Sequence, residues 1–144
     1  MNAQPIAVAM AILYQQDKFL LQLRDDYPFI LYPGHWGLFG GHLESGESPE
    51  AGLNRELLEE ITYQPPRLNL FRRYVDSKGI TYIYHAPLTV TLDQLVQQEG
   101  QDLALVSPVA IHQGCYYSEK IAQTRPLGSP HQKILQDFLT FYHS

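Results

Sequence analysis

The stretch W-G-L-F-G-G-H-L-E-S-G-E-S-P-E-A-G-L-N-R-E-L-L-E-E-I-T-Y, Trp36 to Tyr63, organises the reading of this chain. Its first half, to Gly46, is too rich in glycine for a regular helix. Its second half carries helix start signals. The Ser48 hydroxyl can accept from a free backbone N–H, Pro49 suits a first helical position that needs no donor, and Glu50 puts negative charge in the first turn. Pro65 and Pro66 mark the end, because a residue before proline is driven out of the α region. At about 100° per residue, Glu56, Glu59 and Glu60 share one face. Arg55 lies one turn before Glu59, and Leu53, Leu57 and Ile61 form the adjacent apolar stripe. Like charges at these spacings oppose a helix by roughly 0.2–0.5 kcal/mol per pair. An acidic cluster beside a buried stripe therefore points to a compensating positive charge, and a hard divalent cation is the natural candidate for carboxylate oxygens.

A solvated acidic face is the simpler reading of E-L-L-E-E alone. The glycines change the balance, since Gly40 and Gly41 let backbone approach a ligand closely. Gly41, five residues, Glu47, seven residues, then Arg55-Glu56-Leu57-Leu58-Glu59-Glu60 resembles the signature of the Nudix hydrolases, fixed at several positions between Gly41 and Tyr63. The resemblance implies an α/β fold, the Nudix α/β/α sandwich, with a mixed sheet between helices. It also implies metal-dependent cleavage of a diphosphate linkage in a nucleoside diphosphate derivative or a nucleoside triphosphate, by water attack on phosphorus. In that family pattern Glu59 and Glu60 bind metal together with the Gly40 carbonyl. Glu56 binds a further metal or orients the water, and Arg55, paired with Glu47, holds the carboxylates. The cofactor implied is Mg²⁺, with Mn²⁺ as an alternative.

Two positions depart from the pattern. Thr62 stands where the family usually has glycine, and Tyr63 where it has an aliphatic residue. A β-branched residue enters the left-handed region at a cost of about 1–2 kcal/mol, so the helix is expected to end by another route, aided by the prolines. Phe39 occupies a position where many relatives carry proline. Family members often recruit a further acidic residue from a later loop, as metal ligand or general base. Asp93, Glu99 and Asp102 are available, and Glu99 is preferred because Gly100 permits a bend that swings its carboxylate over the helix.

The 144 residues suit one domain, 1–144, with a real core, and 44% apolar against 17% charged residues reads as globular. The net charge of −5 argues against coating a nucleic-acid polymer; a single small-molecule nucleotide remains accessible, because a metal can supply the positive charge. Cys115 is the only cysteine, so an internal disulfide is excluded. The apolar run Ile6–Tyr14 is too short to span a bilayer and lacks a basic leader. A cytoplasmic protein with no membrane association, monomer or homodimer, is expected.

Along the chain, Ile6–Tyr14 alternates as a strand, with Ala7, Ala9, Ala11 and Leu13 forming a face that lets a helix come close. Phe19–Arg24 is its hairpin partner, Asp25–Gly34 a loop and Trp36–Phe39 a short strand. Arg67–Val75 and Ile80–Val90 are strands joined by Asp76-Ser77-Lys78-Gly79. Asp93–Gln98 reads as a short helical turn, Leu103–Val106 as a strand and Ser107–Gln113 as a brief helix. Gly114–Ser129 has no firm pattern, and His131–Tyr142 is an amphipathic helix with Ile134, Leu135, Phe138, Leu139 and Tyr142 inward.

Packing is the expected role of Trp36, Tyr82 and Tyr84, and solvated loop positions that of Arg24, His35 and His42. Cys115 is expected to be inert. A non-catalytic nucleotide or nucleotide-sugar sensor on the same fold is the alternative, which the retained Glu56, Glu59 and Glu60 disfavour. An isomerase acting on an isoprenoid diphosphate has weaker support. An EF-hand is disfavoured, because the acids lie on a helix. The lack of a proline near Lys78 weighs against the ADP-ribose-cleaving class.

Overall fold

The computed structural model describes residues 6–142, so the two ends of the expected 1–144 domain lie outside the described residues. The elements are β1 (Ile6–Gln15), β2 (Lys18–Leu23), β3 (Trp36–Gly37), β4 (Phe39–His42), α1 (Pro49–Ile61), β5 (Asn69–Val75) and β6 (Gly79–Pro87). They continue with a 3₁₀ turn (Leu92–Gln94), β7 (Asp102–Val106), α2 (Pro108–Gln113), β8 (Cys115–Ser118), β9 (Gln123–Pro126) and α3 (Ser129–Tyr142).

β1 is the spine of the sheet. It pairs in parallel with β6 along its whole length, from Ile6–Gly79 to Tyr14–Pro87. Its other edge is shared. The C-terminal end pairs with β2 across a two-residue turn, where Gln16 and Asp17 both have positive φ, the conformation a tight hairpin demands. The N-terminal half pairs with β4, Ala11 facing Phe39 and Val8 facing His42. β1 and β2 therefore diverge beyond the Leu13–Leu20 pair, and Trp36–His42 enters the gap, β3 on β2 and β4 on β1. That wedge sets strands from two directions against one end of α1. β7 covers the far edge of β2, and β5 covers the far edge of β6.

The two faces of β1 build two cores. Ala9, Ala11 and Leu13 receive Leu53, Leu57 and Ile61 of α1, together with Leu20, Phe39, Tyr84 and Ala86. Small residues on β1 let the helix sit close, and each buried aliphatic side chain contributes about 1.5–3 kcal/mol. On the opposite face Ile12, Phe19, Leu21, Trp36 and Ile83 pack against Ile134, Leu135, Phe138 and Leu139 of α3 and Ile111 of α2. The architecture is the expected mixed sheet between helices.

Four local expectations change. Thr62 does adopt the left-handed conformation, with φ 56° and ψ 42°, and its N–H closes the helix on the Leu58 carbonyl. The segment after the 3₁₀ turn offsets the strain. Val96 N–H reaches the Ile61 carbonyl at 3.2 Å, Gln98 N–H reaches the Glu60 carbonyl at 2.8 Å, and the Thr62 hydroxyl donates to the Val96 carbonyl. The helix end is capped by a distant segment rather than released by the prolines. The helical turn expected over Asp93–Gln98 is confined to Leu92–Gln94. Gly114–Ser129 is ordered by the β8–β9 hairpin, paired from Cys115–Pro126 to Ser118–Gln123. Tyr142 is half-exposed rather than inward, and its hydroxyl meets His85 Nε2 at 3.0 Å.

Candidate active site

The site forms where α1 passes the wedge. Ser48 caps the helix as expected, its hydroxyl accepting from Ala51 N–H at 3.2 Å. Gly40 has φ +136°, and a Cβ there would lie 2.0 Å from the Ala9 carbonyl oxygen, so only glycine fits. Gly41 lies directly under Glu56: a Cβ would come within 2.8 Å of that carboxylate. The two glycines thus serve close approach, one to the neighbouring strand and one to a site carboxylate.

Arg55 is the hub of the acidic face. Its Nε and Nη2 grip both oxygens of Glu47 at 2.8 and 3.0 Å, while Nη1 donates to Glu56 at 3.2 Å and to Glu59 at 3.3 Å. Nη2 also reaches the His42 carbonyl at 3.4 Å. A planar fork with fixed donors can hold three carboxylates in one arrangement, which a point charge cannot. The bond from Arg55, with a backbone bond from Glu44 N–H, pulls the Glu47 carboxyl down to about 2.

Glu60 is different in kind. It is 3% exposed, with Oε1 accepting from Gln22 Nε2 at 2.7 Å and Oε2 from Gly40 N–H at 3.1 Å. Burial raises its carboxyl to about 8 despite these two donors, and the neighbouring Glu56 and Glu99 add to the rise. Burial also raises Glu56, against the pull of Arg55. Glu56 keeps Arg55 as a partial counter-charge, whereas the donors on Glu60 are a neutral amide and a backbone N–H.

Glu99 joins the group. It lines one cleft of about 380 Å³ with Gln22, Arg24, Gly40, Glu60 and Gly100. Its loop is stapled in place: Gln97 Nε2 donates to the Glu99 and Asp102 carbonyls, and Gly100 N–H to Asp25 Oδ2. Asp102 is occupied elsewhere, accepting from Ser118 Oγ at 2.7 Å, and Asp93 is held by the Thr91 hydroxyl. Of the three later acids considered, only Glu99 lines this cleft. Trp36 is fully buried with its indole N–H on the Tyr116 carbonyl, Tyr84 is buried in the core, and Tyr82 packs half-buried beside it. His35 is turned onto the Pro33 carbonyl at 2.8 Å. Arg24 departs from expectation, since it borders the cleft.

Gln22 holds the most buried acid of the site and lies outside the sequence motif. A lone amide in the apolar strand Lys18–Leu23 was the available signal, because a buried polar group needs a partner.

The donor chemistry fits a hard cation: carboxylate oxygens at Glu56, Glu59 and Glu60, the first and last of them against Gly41 and Gly40, with a buried acid at Glu60 whose donors are both neutral. Among the described residues no three ligand-type side chains close around one point. Arg55 holds Glu56 and Glu59, and Gln22 holds Glu60.

A family model for the NUDIX domain matches residues 3–135. The chain belongs to the Nudix hydrolase family. A NUDIX hydrolase from Nitrosomonas europaea superposes with a TM-score of 0.75 at 22% identity, covering 99% of this chain and 74% of that one. A nudix hydrolase family member from Chromobacterium violaceum gives 0.70 at 18%, covering 100% and 83%. The NUDIX domain of Shewanella oneidensis NrtR, solved with ADP ribose, gives 0.66 at 23%, covering 96% and 88%. These likenesses show the shared fold. No curated protein sequence matches the chain significantly. Among the described residues, no helix is long and apolar enough to cross a membrane.

Proposed function

We propose that this chain, acting as one domain, hydrolyses a diphosphate linkage in a nucleoside diphosphate derivative or a nucleoside triphosphate, with Mg²⁺ as cofactor and Mn²⁺ as an alternative. The observation that carries the reading is one acidic face of α1 on which the buried Glu60 meets Gly40 and Glu56 meets Gly41, with Glu59 tied to Arg55 and Arg55 locked to Glu47. Glu59, Glu60 and the Gly40 carbonyl would hold the metal, with Glu56 as a further ligand. The bound ion would neutralise phosphate charge and lower the pKa of a water.

The chain's own groups do the rest. Arg55 fixes Glu56 and Glu59 against the helix, so the carboxylates are placed before substrate arrives. Gln22 and Gly40 N–H orient Glu60. Glu99, which lines the same cleft as Glu60, accepts the proton of the attacking water. Arg24 ties its Nε to the Leu31 carbonyl and borders the cleft, where its guanidinium can meet a phosphate. A nucleotide substrate is in keeping with the ADP ribose bound by the Shewanella domain; the absence of a proline near Lys78 argues against ADP-ribose itself. A cytoplasmic location, without nucleic-acid polymer or membrane as partner, is in keeping with this chemistry.

The test is product release from a panel of nucleoside triphosphates and nucleoside diphosphate conjugates with Mg²⁺ or Mn²⁺. Metal-dependent release of a nucleoside monophosphate or diphosphate is expected. Turnover unaffected by a chelator would overturn the reading.

A further inference from the structure

The loop Asp25–Gly34 presents large apolar side chains to solvent beside the cleft that Glu60 and Glu99 line. Tyr27 is 52% exposed and Phe29 83%. Their rings lie parallel, 3° apart in orientation, with centroids 5.5 Å apart, an offset stack. Tyr27 and Ile30 line the same cleft as Glu60, Gly40 and Glu99.

This loop is held rather than draped. Arg24 N–H donates to the His35 carbonyl, and Gly34 N–H to the Asp25 carbonyl. Arg24 Nε fastens Leu31 from within at 2.8 Å, and Asp25 accepts from Gly100 N–H. Arg125, from β9, reaches both the Gly34 carbonyl and Asp26. A backbone fixed at both ends and its middle holds two aromatic faces out of the core. Exposed apolar surface of this kind at a cleft marks a binding site, and fixing it in advance lowers the cost of using it.

We propose that Tyr27, backed by Phe29, is the stacking platform for the planar base of the nucleotide whose diphosphate lies over Glu56, Glu59 and Glu60. The position of the diphosphate in this placement rests on the hydrolase reading. The cleft has a mixed lining: the carboxylates of Glu60 and Glu99 and the Gly40 and Gly100 backbone, together with Tyr27 and Ile30. That polarity matches a ligand charged at one end and flat and weakly hydrated at the other. Stacking is tolerant of base identity, because every base has a π-face. Tyr27 therefore selects for a nucleoside over a bare diphosphate without choosing among nucleosides.

Calorimetric titration with Mg²⁺ tests this without turnover. The ligands are the α,β-methylene analogues of ADP, GDP, CDP and UDP, with methylenediphosphonate as the headgroup alone. At least one nucleoside analogue is expected to bind about tenfold or more tightly than methylenediphosphonate. Tyr27→Ala removes that margin while leaving methylenediphosphonate affinity unchanged, Tyr27→Phe keeps it, and Phe29→Ala reduces it. Both rings are exposed, so the variants are expected to keep the wild-type melting temperature. If no nucleoside analogue outbinds methylenediphosphonate, or if Tyr27→Ala weakens both ligands alike, the platform is overturned. Metal-dependent cleavage of a non-nucleoside diphosphate in that event would leave the hydrolase reading standing, so the two failures are separable.

Discussion

Glu60 on α1 accepts a 2.7 Å hydrogen bond from Gln22 on β2, a buried contact between residues 38 apart in sequence. It exists because β1 and β2 separate and β4 enters between them, which puts a strand amide and the Gly40 N–H on two sides of one carboxyl.

The Glu60 carboxyl supplies a pH prediction. Its folded value of about 8 lies above the ordinary 4.5, so the folded state holds a proton that the unfolded chain has lost. Its contribution is fully present below about pH 4.5 and is lost as pH rises through 8, by roughly a few kcal/mol. A cation beside Glu60 reverses the penalty on its charged form. Mg²⁺ should therefore raise the melting temperature more at pH 8 than at pH 6. In Glu60→Gln the Mg²⁺ effect should shrink and lose its pH dependence. Equal Mg²⁺ shifts at both pH values in the wild type would remove Glu60 from the metal site.

Replacing Glu59 by Gln keeps its volume and removes its charge. Turnover should fall by about 10²-fold, with weaker Mg²⁺ dependence and an unchanged melting temperature, because Glu59 is half-exposed and is held only by two long bonds from Arg55 Nη1, at 3.3 and 3.5 Å. Wild-type turnover and metal affinity across the substrate panel would refute the assignment.

Arg55 should act on geometry. Lysine has no fork to hold Glu47 by two bonds while reaching Glu56 and Glu59. Arg55→Lys is expected to lower kcat by about 10²-fold, the size of effect a 1 Å misplacement can have, with little change in KM. A raised KM at constant kcat would mark a direct substrate contact instead.

His131 ties α3 to the wedge. Its Nδ1 accepts from Leu38 N–H at 2.9 Å, and its ring packs against Gly37. Burial, with the positive charge of Arg24 and the neighbouring His35, lowers it to about 4. The folded state keeps it neutral while the unfolded chain takes up a proton below 6.5. Stability should therefore fall as pH drops from 6.5 to 4, by roughly 3 kcal/mol from this group. Denaturant titrations of wild type and His131→Gln across that range check it, since the variant should lack this component of the slope.

What the sequence made legible followed from local chemistry. Ser48 and Pro49 announced the start of α1, the alanines of β1 announced the face that receives it, and the spacing of Glu56, Glu59 and Glu60 announced one acidic face. Thr62 misled because its strain is relieved by Val96 and Gln98, more than thirty residues away. Gln22 gave no spacing signal, since its partner belongs to another element. The β8–β9 hairpin lay in a segment without strand alternation: its four-residue strands are too short for a period to register.

Glu99 lies outside the Gly41–Tyr63 stretch. It shares the cleft with Glu60 and Gly40, and its charge bears on both Glu56 and Glu60. Its backbone is fixed by Gln97 and Gly100, so its carboxylate can act while the loop stays still. As the general base it would accept the proton from the water attacking phosphorus, and Glu99→Gln should cut turnover by roughly 10²–10⁴-fold without unfolding the chain. Asp102 is the control. It lines the start of β7 and accepts from Ser118 Oγ and from Leu103 N–H, which ties the β8–β9 hairpin to the sheet. Asp102→Asn should therefore lower the melting temperature more than the turnover. The pH–rate profile separates the base from a mere ligand: loss of the base removes the acidic limb, whereas loss of a ligand raises the Mg²⁺ concentration needed for half-maximal rate. A folded Glu99→Gln protein with near-normal turnover at its optimal pH would exclude Glu99 from the reaction.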